Sequence, residues 1–122
     1  MNEILITNKK ISTSQLKAQC DRWFGDMVKL VVDVEKKVIA IGGELHADAE
    51  TLLLEQGSVQ KNLWGANFYP WNPPGERISF TALINIRPHQ DNPSFEILNE
   101  AIKQKMKTII ENLVFSPDEE LV

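Results

Sequence analysis

The fold is decided by residues 42–57, which read Gly42-Gly43-Glu44-Leu45-His46-Ala47-Asp48-Ala49-Glu50-Thr51-Leu52-Leu53-Leu54-Glu55-Gln56-Gly57. This stretch joins an apolar segment to a leucine-rich one, and it contains one of the two histidines of the chain among four carboxylates. Paired glycines end a strand or allow a close approach to its backbone, and the leucines have helical spacing. We therefore expect a strand-to-helix junction with a polar cluster beside it.

The helix of this junction can start in two ways. If Glu44 is already helical, its buried stripe consists of Leu45, Ala49, Leu52 and Leu53. If Asp48 is the N-cap, the helix covers about residues 49–56, and Gly57 is the residue that follows it. The later start is favoured because Asp is a good cap and an early helix would include glycine at a cost.

Length and composition indicate one ordinary globular domain. The chain has 122 residues, of which 43% are hydrophobic and 25% charged, and its net charge is −4. We expect a single domain over residues 1–122, with frayed ends at about 1–10 and 115–122. The negative charge repels phosphate backbones, so nucleic acid is not an expected partner.

Cysteine usage and hydropathy indicate a cytoplasmic protein. Cys20 is the only cysteine, which excludes an internal disulfide and a multi-cysteine zinc site. No apolar run approaches the roughly 20 residues of a membrane helix, and the start lacks the features of a signal peptide. No cofactor is indicated, and no membrane association is expected.

Periodicity predicts the regular elements on either side of the junction. Ser12 and Gln15 have capping-box spacing, and the apolar stripe that follows predicts a first helix ending at Gly25. Residues 27–33 and 38–41 predict a hairpin that is apolar on both faces and central in the sheet. Residues 4–6 are either an edge strand or a tail.

A second hairpin and a third helix are predicted downstream. Residues 63–69 and 78–87 read as strands joined by a proline-rich loop, and residues 99–114 read as an amphipathic helix. The expected fold is α+β: a mostly antiparallel sheet of about four strands in two hairpins, with three helices in the order helix, hairpin, helix, hairpin, helix. We expect the helices to cover one side of this sheet.

The string His46, Asp48 and Glu50 contains the imidazole and carboxylate ligands that suit zinc, manganese or iron. On a helix, His46 and Glu50 fall on one flank of the leucine stripe, whereas Asp48 falls on the opposite flank. One helix therefore cannot present all three to a single ion, and no metal site is predicted. The alternative is a capping Asp48, two solvated glutamates and a His46 that is hydrogen-bonded at the edge of the core.

Polar residues on the last predicted strand are the other candidates for a site. Arg87 either pairs with a carboxylate of Glu50, Glu55 or Glu76, or faces a pocket with Asn85 and binds an anion. Asn67 on the partner strand could share that pocket. His89 and Asp91 form a further, less specific acid–base candidate in a loop.

Two apolar residues are candidates for a contact surface. Trp71 lies among prolines and is expected to be exposed, and Leu54 falls opposite the buried stripe of its helix. Trp64 is expected in the core.

Four strings carry a resemblance to a known family. They are Asp26-Met27-Val28-Lys29-Leu30-Val31-Val32-Asp33-Val34-Glu35, Gly42-Gly43-Glu44-Leu45-His46-Ala47-Asp48-Ala49-Glu50, Asn62-Leu63-Trp64-Gly65-Ala66-Asn67 and Leu83-Ile84-Asn85-Ile86-Arg87-Pro88. Over about residues 12–114 the chain resembles a family of small prokaryotic proteins known only as a domain of unknown function. The resemblance implies a bacterial or archaeal protein, no assigned activity and a shared surface around His46, Asn67 and Arg87. The family pattern continues after Arg-Pro with Gln-Gly-Asn-Arg-Ser, which Gln90-Asp91-Asn92-Pro93-Ser94 does not match.

Three hypotheses of function follow. The first is a binding protein for a small polar or anionic ligand or a protein partner, with His46, Glu50, Asn67, Asn85 and Arg87 around one pocket. The second is a hydrolase in which His46 is the general base, Glu50 orients it and Arg87 stabilises negative charge. The third is a homodimer or other complex formed through Leu54 and Trp71, without a pocket.

Overall fold

The computed structural model describes residues 3–121 and contains one five-stranded antiparallel sheet with three helices. The strands are β1 (Leu5–Thr7), β2 (Val28–Asp33), β3 (Val38–Ile41), β4 (Leu63–Phe68) and β5 (Ile78–Ser79), in the spatial order β1-β3-β2-β4-β5. The helices are α1 (Thr13–Trp23), α2 (His46–Glu55) and α3 (Glu100–Leu113). The predicted α+β class and element order are confirmed, and β1 raises the strand number from about four to five.

The strands of the central hairpin, β2 and β3, are apolar on both faces because helices pack against both faces of the sheet. Along β2, Leu30 packs in a cluster with α1 and α3, whereas its neighbour Val31 packs in a second cluster with α2. Both side chains are fully buried. The prediction that the helices cover one side of the sheet was wrong, because the alternating residues of β2 each need an apolar cover.

Both α1 and α3 begin at side-chain caps, of which the cap of α1 was predicted. At α1, Gln15 N–H donates to Ser12 Oγ, and Ser12 N–H donates to the Gln15 side chain, which completes the predicted capping box. At α3, Ile102 N–H donates to the side chain of Asn99. Among residues 3–121, none of the helices is both long enough and apolar enough to span a bilayer.

The preferred start of α2 was wrong by three residues. Leu45, not Asp48, is the N-cap, and Asp48 instead accepts the Leu45 N–H at 3.3 Å from within the first turn. Gly42 and Gly43 have φ of +114° and +103°, a backbone conformation that L side chains rarely adopt. The glycines therefore turn the chain before the helix, so an early start does not require helical glycine.

The predicted strand over residues 78–87 was also largely wrong. Only Ile78–Ser79 pairs with β4, and the chain then bends away, so that Thr81 bridges to Glu96 and residues 83–85 form a single 3₁₀ turn. At the ends that were predicted to fray, Leu5–Thr7 forms β1 and Phe115 is buried.

Candidate functional site

A row of polar residues crosses three strands at the end of the sheet where α2 begins. Lys29 of β2 is the register partner of Asn67 of β4, which is in turn the partner of Ser79 of β5. Register partners point to the same face of a sheet, and this face is the one that α2 covers. The row is therefore brought under the first turn of α2, where His46 lies.

A depression of about 360 Å³, called the His46 pocket below, opens at this position. Four polar residues line it, namely Lys29, His46, Asn67 and Thr81. Four apolar residues complete it, namely Met27, Ala82, Leu83 and Phe95. Ligand sites combine an apolar lining with a few polar groups in this way.

His46 is held in one orientation by the backbone of β4. Its Nε2 lies 2.8 Å from the carbonyl oxygen of Ala66, and because a carbonyl can only accept, Nε2–H is the donor. Burial lowers the pKa of His46 below its ordinary value of 6.5, the hydrogen bond to the Ala66 carbonyl opposes that change, and the nearby charge of Lys29 adds a smaller lowering. The ring is therefore neutral at pH 7, and its Nδ1 carries a lone pair.

Asn67 is oriented by the bend that follows β5. Its Nδ2 donates to the carbonyl oxygen and to the hydroxyl of Thr81, both at 3.3 Å. Its Oδ1 is buried and has no hydrogen-bond partner among residues 3–121. A buried acceptor without a donor costs free energy. Asn67 therefore contributes an unpaired hydrogen-bond acceptor to the pocket.

Lys29 is the cation of the pocket. Its Nζ lies 5.2 Å from the centroid of the Phe24 ring, and in the described part of the chain it forms no salt bridge. A cation–π contact at an exposed site contributes only about 0.5–1 kcal/mol. The ammonium group is therefore available to an anion.

Asn85 lies outside the pocket, and its side-chain amide makes the hydrogen bonds to β4 that a neighbouring strand would make. Its Oδ1 accepts the Gly65 N–H at 2.8 Å, and its Nδ2 donates to the Gly65 carbonyl at 3.0 Å. The side chain has no exposed surface. β5 is too short to reach Gly65, so the amide of Asn85 satisfies the backbone groups of β4 that a longer strand would bond.

Arg87 is likewise used within the fold. Its guanidinium donates to the carbonyl oxygens of Ile84, Gln60 and Leu63 at 3.0, 2.8 and 2.6 Å, and only 3% of the residue is exposed. A fourth bond, at 3.3 Å, reaches the carboxylate of Glu50. Burial lowers the pKa of Arg87, and Glu50 opposes that change.

The candidate residues thus form two groups rather than one. His46 and Asn67 line the His46 pocket, whereas the partly exposed Glu50 forms an ion pair with the buried Arg87, and Asn85 binds the backbone of Gly65. Of the alternatives for Arg87, the geometry matches pairing with Glu50. The donors of Arg87 point at carbonyl oxygens of the chain itself.

Several important residues were not among the predicted ones. Lys29, Leu83 and Phe95 line the pocket, and Asn92 is a buried hub that donates to Asn85, Ser94 and Glu96 and accepts from Leu98. Lys29 could have been found from its place on the α2 face of β2. Asn92 has no such signal, because its partners lie in irregular backbone.

The remaining candidates are on the surface. Leu54 and Trp71 are 39% and 43% exposed, and Trp64 is buried as predicted. His89 and Asp91 are exposed on a turn. Within residues 3–121, His, Cys, Asp and Glu side chains form no group of three that could hold a metal ion.

The fold and pocket define a small three-layer α+β domain, with α1 and α3 on one face of the sheet and α2 on the other. Over residues 5–113 the chain matches the profile of a family described as a protein of unknown function, DUF5674, and it belongs to that family. The predicted kinship with a domain of unknown function is thereby confirmed. No curated protein and no solved structure is significantly similar to the chain.

Proposed function

We propose that this protein is a binding protein whose ligand carries an anionic group and occupies the His46 pocket. The observation that carries the proposal is that Lys29, which has no salt bridge within residues 3–121, shares this pocket with His46 and Asn67. The ammonium group attracts an anion, Nδ1 of neutral His46 accepts a hydrogen bond, and Thr81 adds a hydroxyl.

Binding rather than hydrolysis is favoured by the use of Glu50 and Arg87. The hydrolase hypothesis requires Glu50 to orient His46 and Arg87 to face developing negative charge. Glu50 instead pairs with Arg87. The N–H groups of Arg87 donate hydrogen bonds to the carbonyl oxygens of Ile84, Gln60 and Leu63.

The test is a titration of ¹⁵N-labelled protein with acetate and with inorganic phosphate, followed by amide chemical shifts. We expect shifts at Lys29, His46 and Asn67 that saturate with the anion. Lys29→Gln should weaken binding at least about tenfold, since a charged hydrogen bond contributes about 1.5–3 kcal/mol.

Lys17→Gln is the matched control. Lys17 is an exposed lysine on α1 that lies outside the pocket, so its replacement should leave the titration unchanged. The proposal fails if neither anion shifts the pocket amides, or if Lys29→Gln binds as well as the unaltered chain.

A further inference from the structure

The outer wall of the His46 pocket is an apolar surface that the chain itself leaves uncovered. Leu83 is 80% exposed and Phe95 is 55% exposed, and both line the pocket. Ile86 follows Leu83 by three residues around a 3₁₀ turn and is 45% exposed. Side chains three apart in such a turn lie on one side, so the apolar surface continues beyond the pocket.

These side chains are presented on a rigid support and not on a frayed loop. The carbonyl of Phe95 accepts from both Ala82 N–H and the Asn85 side chain, and the amide of Asn92 ties this segment together from beneath. Buried side-chain networks of this kind fix the backbone in one arrangement. These hydrogen bonds therefore hold Leu83 in its exposed position.

Charge complementarity defines what fits there. Among the described residues that line the pocket, Lys29 is the one that carries a charge at pH 7, given a neutral His46. Leu83 and Phe95 line the same pocket, and Ile86 extends the apolar surface beside it. The complementary ligand has a carboxylate at one end and apolar groups next to it.

We propose that this ligand is the C-terminus of a partner polypeptide that ends in an apolar residue. The inference rests on the proposed function and names the ligand class of the same pocket. The terminal carboxylate binds Lys29, and the last side chain packs between Leu83 and Phe95. The residues before it cover Ile86, which a small carboxylate in a pocket of about 360 Å³ would leave exposed.

The experiment compares three sets of probes by ¹⁵N chemical-shift titration of the full chain. The first is a set of N-acetylated tetrapeptides with a free carboxylate and a last residue of Leu, Ile, Val, Phe or Met. The second is the same set with C-terminal amides, and the third is acetate with octanoate. We expect at least one acid peptide to bind about tenfold or more tightly than both its amide and octanoate.

Two variants locate the contacts. Leu83→Ser should weaken binding of the best acid peptide at least about threefold more than it weakens binding of acetate. Val59→Ser is the control, since Val59 is 51% exposed but lies outside the pocket. Because Leu83 is 80% exposed, its replacement does not remove core packing.

The possible failures are distinguishable. If acetate binds through Lys29 but amide and acid peptides bind equally, or octanoate binds best, the polypeptide ligand is overturned and the proposed function stands. If no probe shifts the pocket amides, both are overturned.

Discussion

Gly65 is the residue on which the packing over β4 depends. A Cβ at this position would lie 2.6 Å from Ala82 Cβ and 3.1 Å from His46 Cδ2, so neither the bend after β5 nor the histidine ring could keep its place. We predict that Gly65→Ala lowers the free energy of unfolding by about 1–3 kcal/mol, measured by urea denaturation. Gly75→Ala is the control, because a Cβ there meets nothing within 4 Å. Equal stabilities of the two variants would contradict this account.

A substitution of Asn85 tests whether its hydrogen bonds to the backbone of Gly65 stabilise the fold. Asn85→Ala leaves the N–H and carbonyl of Gly65 buried without partners, at about 1–3 kcal/mol for each group. We expect a loss of about 2–4 kcal/mol in the free energy of unfolding. Asn8→Ala, at an exposed position, should change it by no more than about 0.5 kcal/mol. An equally small loss in Asn85→Ala would mean that water reaches Gly65.

His46 makes the stability depend on pH in a definite direction. The lowered pKa of the folded state means that the unfolded chain binds more protons once the pH falls through the ordinary value of 6.5. The free energy of unfolding should therefore decrease on acidification in this range. Denaturation from about pH 8 to about pH 5.5 should show a flatter dependence for His46→Gln. Identical slopes for the two proteins would exclude a perturbed His46.

The roles of single polar residues were only partly predictable. His46 was placed correctly at a hydrogen-bonded edge of the core, and Arg87 was paired with Glu50 among its alternatives. The task of Asn85 could not be predicted, because its partner Gly65 is 20 positions away and only the shortness of β5 leaves that backbone open.

At the scale of elements, the segment after β5 shows why a short alternating pattern of apolar residues led to a wrong prediction of a strand over residues 78–87. Phe80, Ala82, Ile84 and Ile86 alternate as in a strand, yet Ile86 is exposed and Leu83 is the most exposed large apolar residue of the described chain. The alternating pattern cannot reveal that the buried amide of Asn85 makes the hydrogen bonds to Gly65 that a longer strand would make, or that Asn92 bonds the carbonyls of the segment itself. The helices and the first hairpin were predictable because their caps and periodicity are local.

Arg87 fastens this segment to the start of β4, and lysine should not replace it. A lysine has one donor nitrogen and cannot reach the carbonyls of Ile84, Gln60 and Leu63 together. We predict that Arg87→Lys lowers the free energy of unfolding by about 2–4 kcal/mol and speeds amide hydrogen exchange around residues 83–87. Arg22→Lys, in an exposed ion pair, should have little effect. Unchanged exchange would show that the guanidinium bonds are dispensable.

Across the whole molecule, burial predicts an order of local stability. β2 lies at the centre of the sheet, with helices over both faces and fully buried side chains at Leu30, Val31 and Val32. We expect the slowest hydrogen exchange at the amides of β2 and its partner β4, with β1 and β5 exchanging faster. Slowest exchange in α3 would instead place the most stable unit outside the sheet.

The oligomeric state also belongs to this scale. Contacts through Leu54 and Trp71 stay a prediction, and light scattering with Leu54→Asp and Trp71→Ser tests it. A dimer mass that both variants retain would remove these two residues from the interface.

The hydrogen bonds from the side chains of Asn85 and Arg87 to the edge of β4 also protect the chain from self-aggregation. An unsatisfied strand edge is a template on which another molecule can add a strand, and such additions propagate into fibres. Here Asn85 and Arg87 bond backbone groups of β4 at the edge that β5 leaves open, so these groups are not available to the backbone of an added strand. Loss of Asn85 would therefore expose an adhesive edge as well as weaken the fold, and fibrillar aggregates should form from Asn85→Ala under conditions where the unaltered chain stays dispersed.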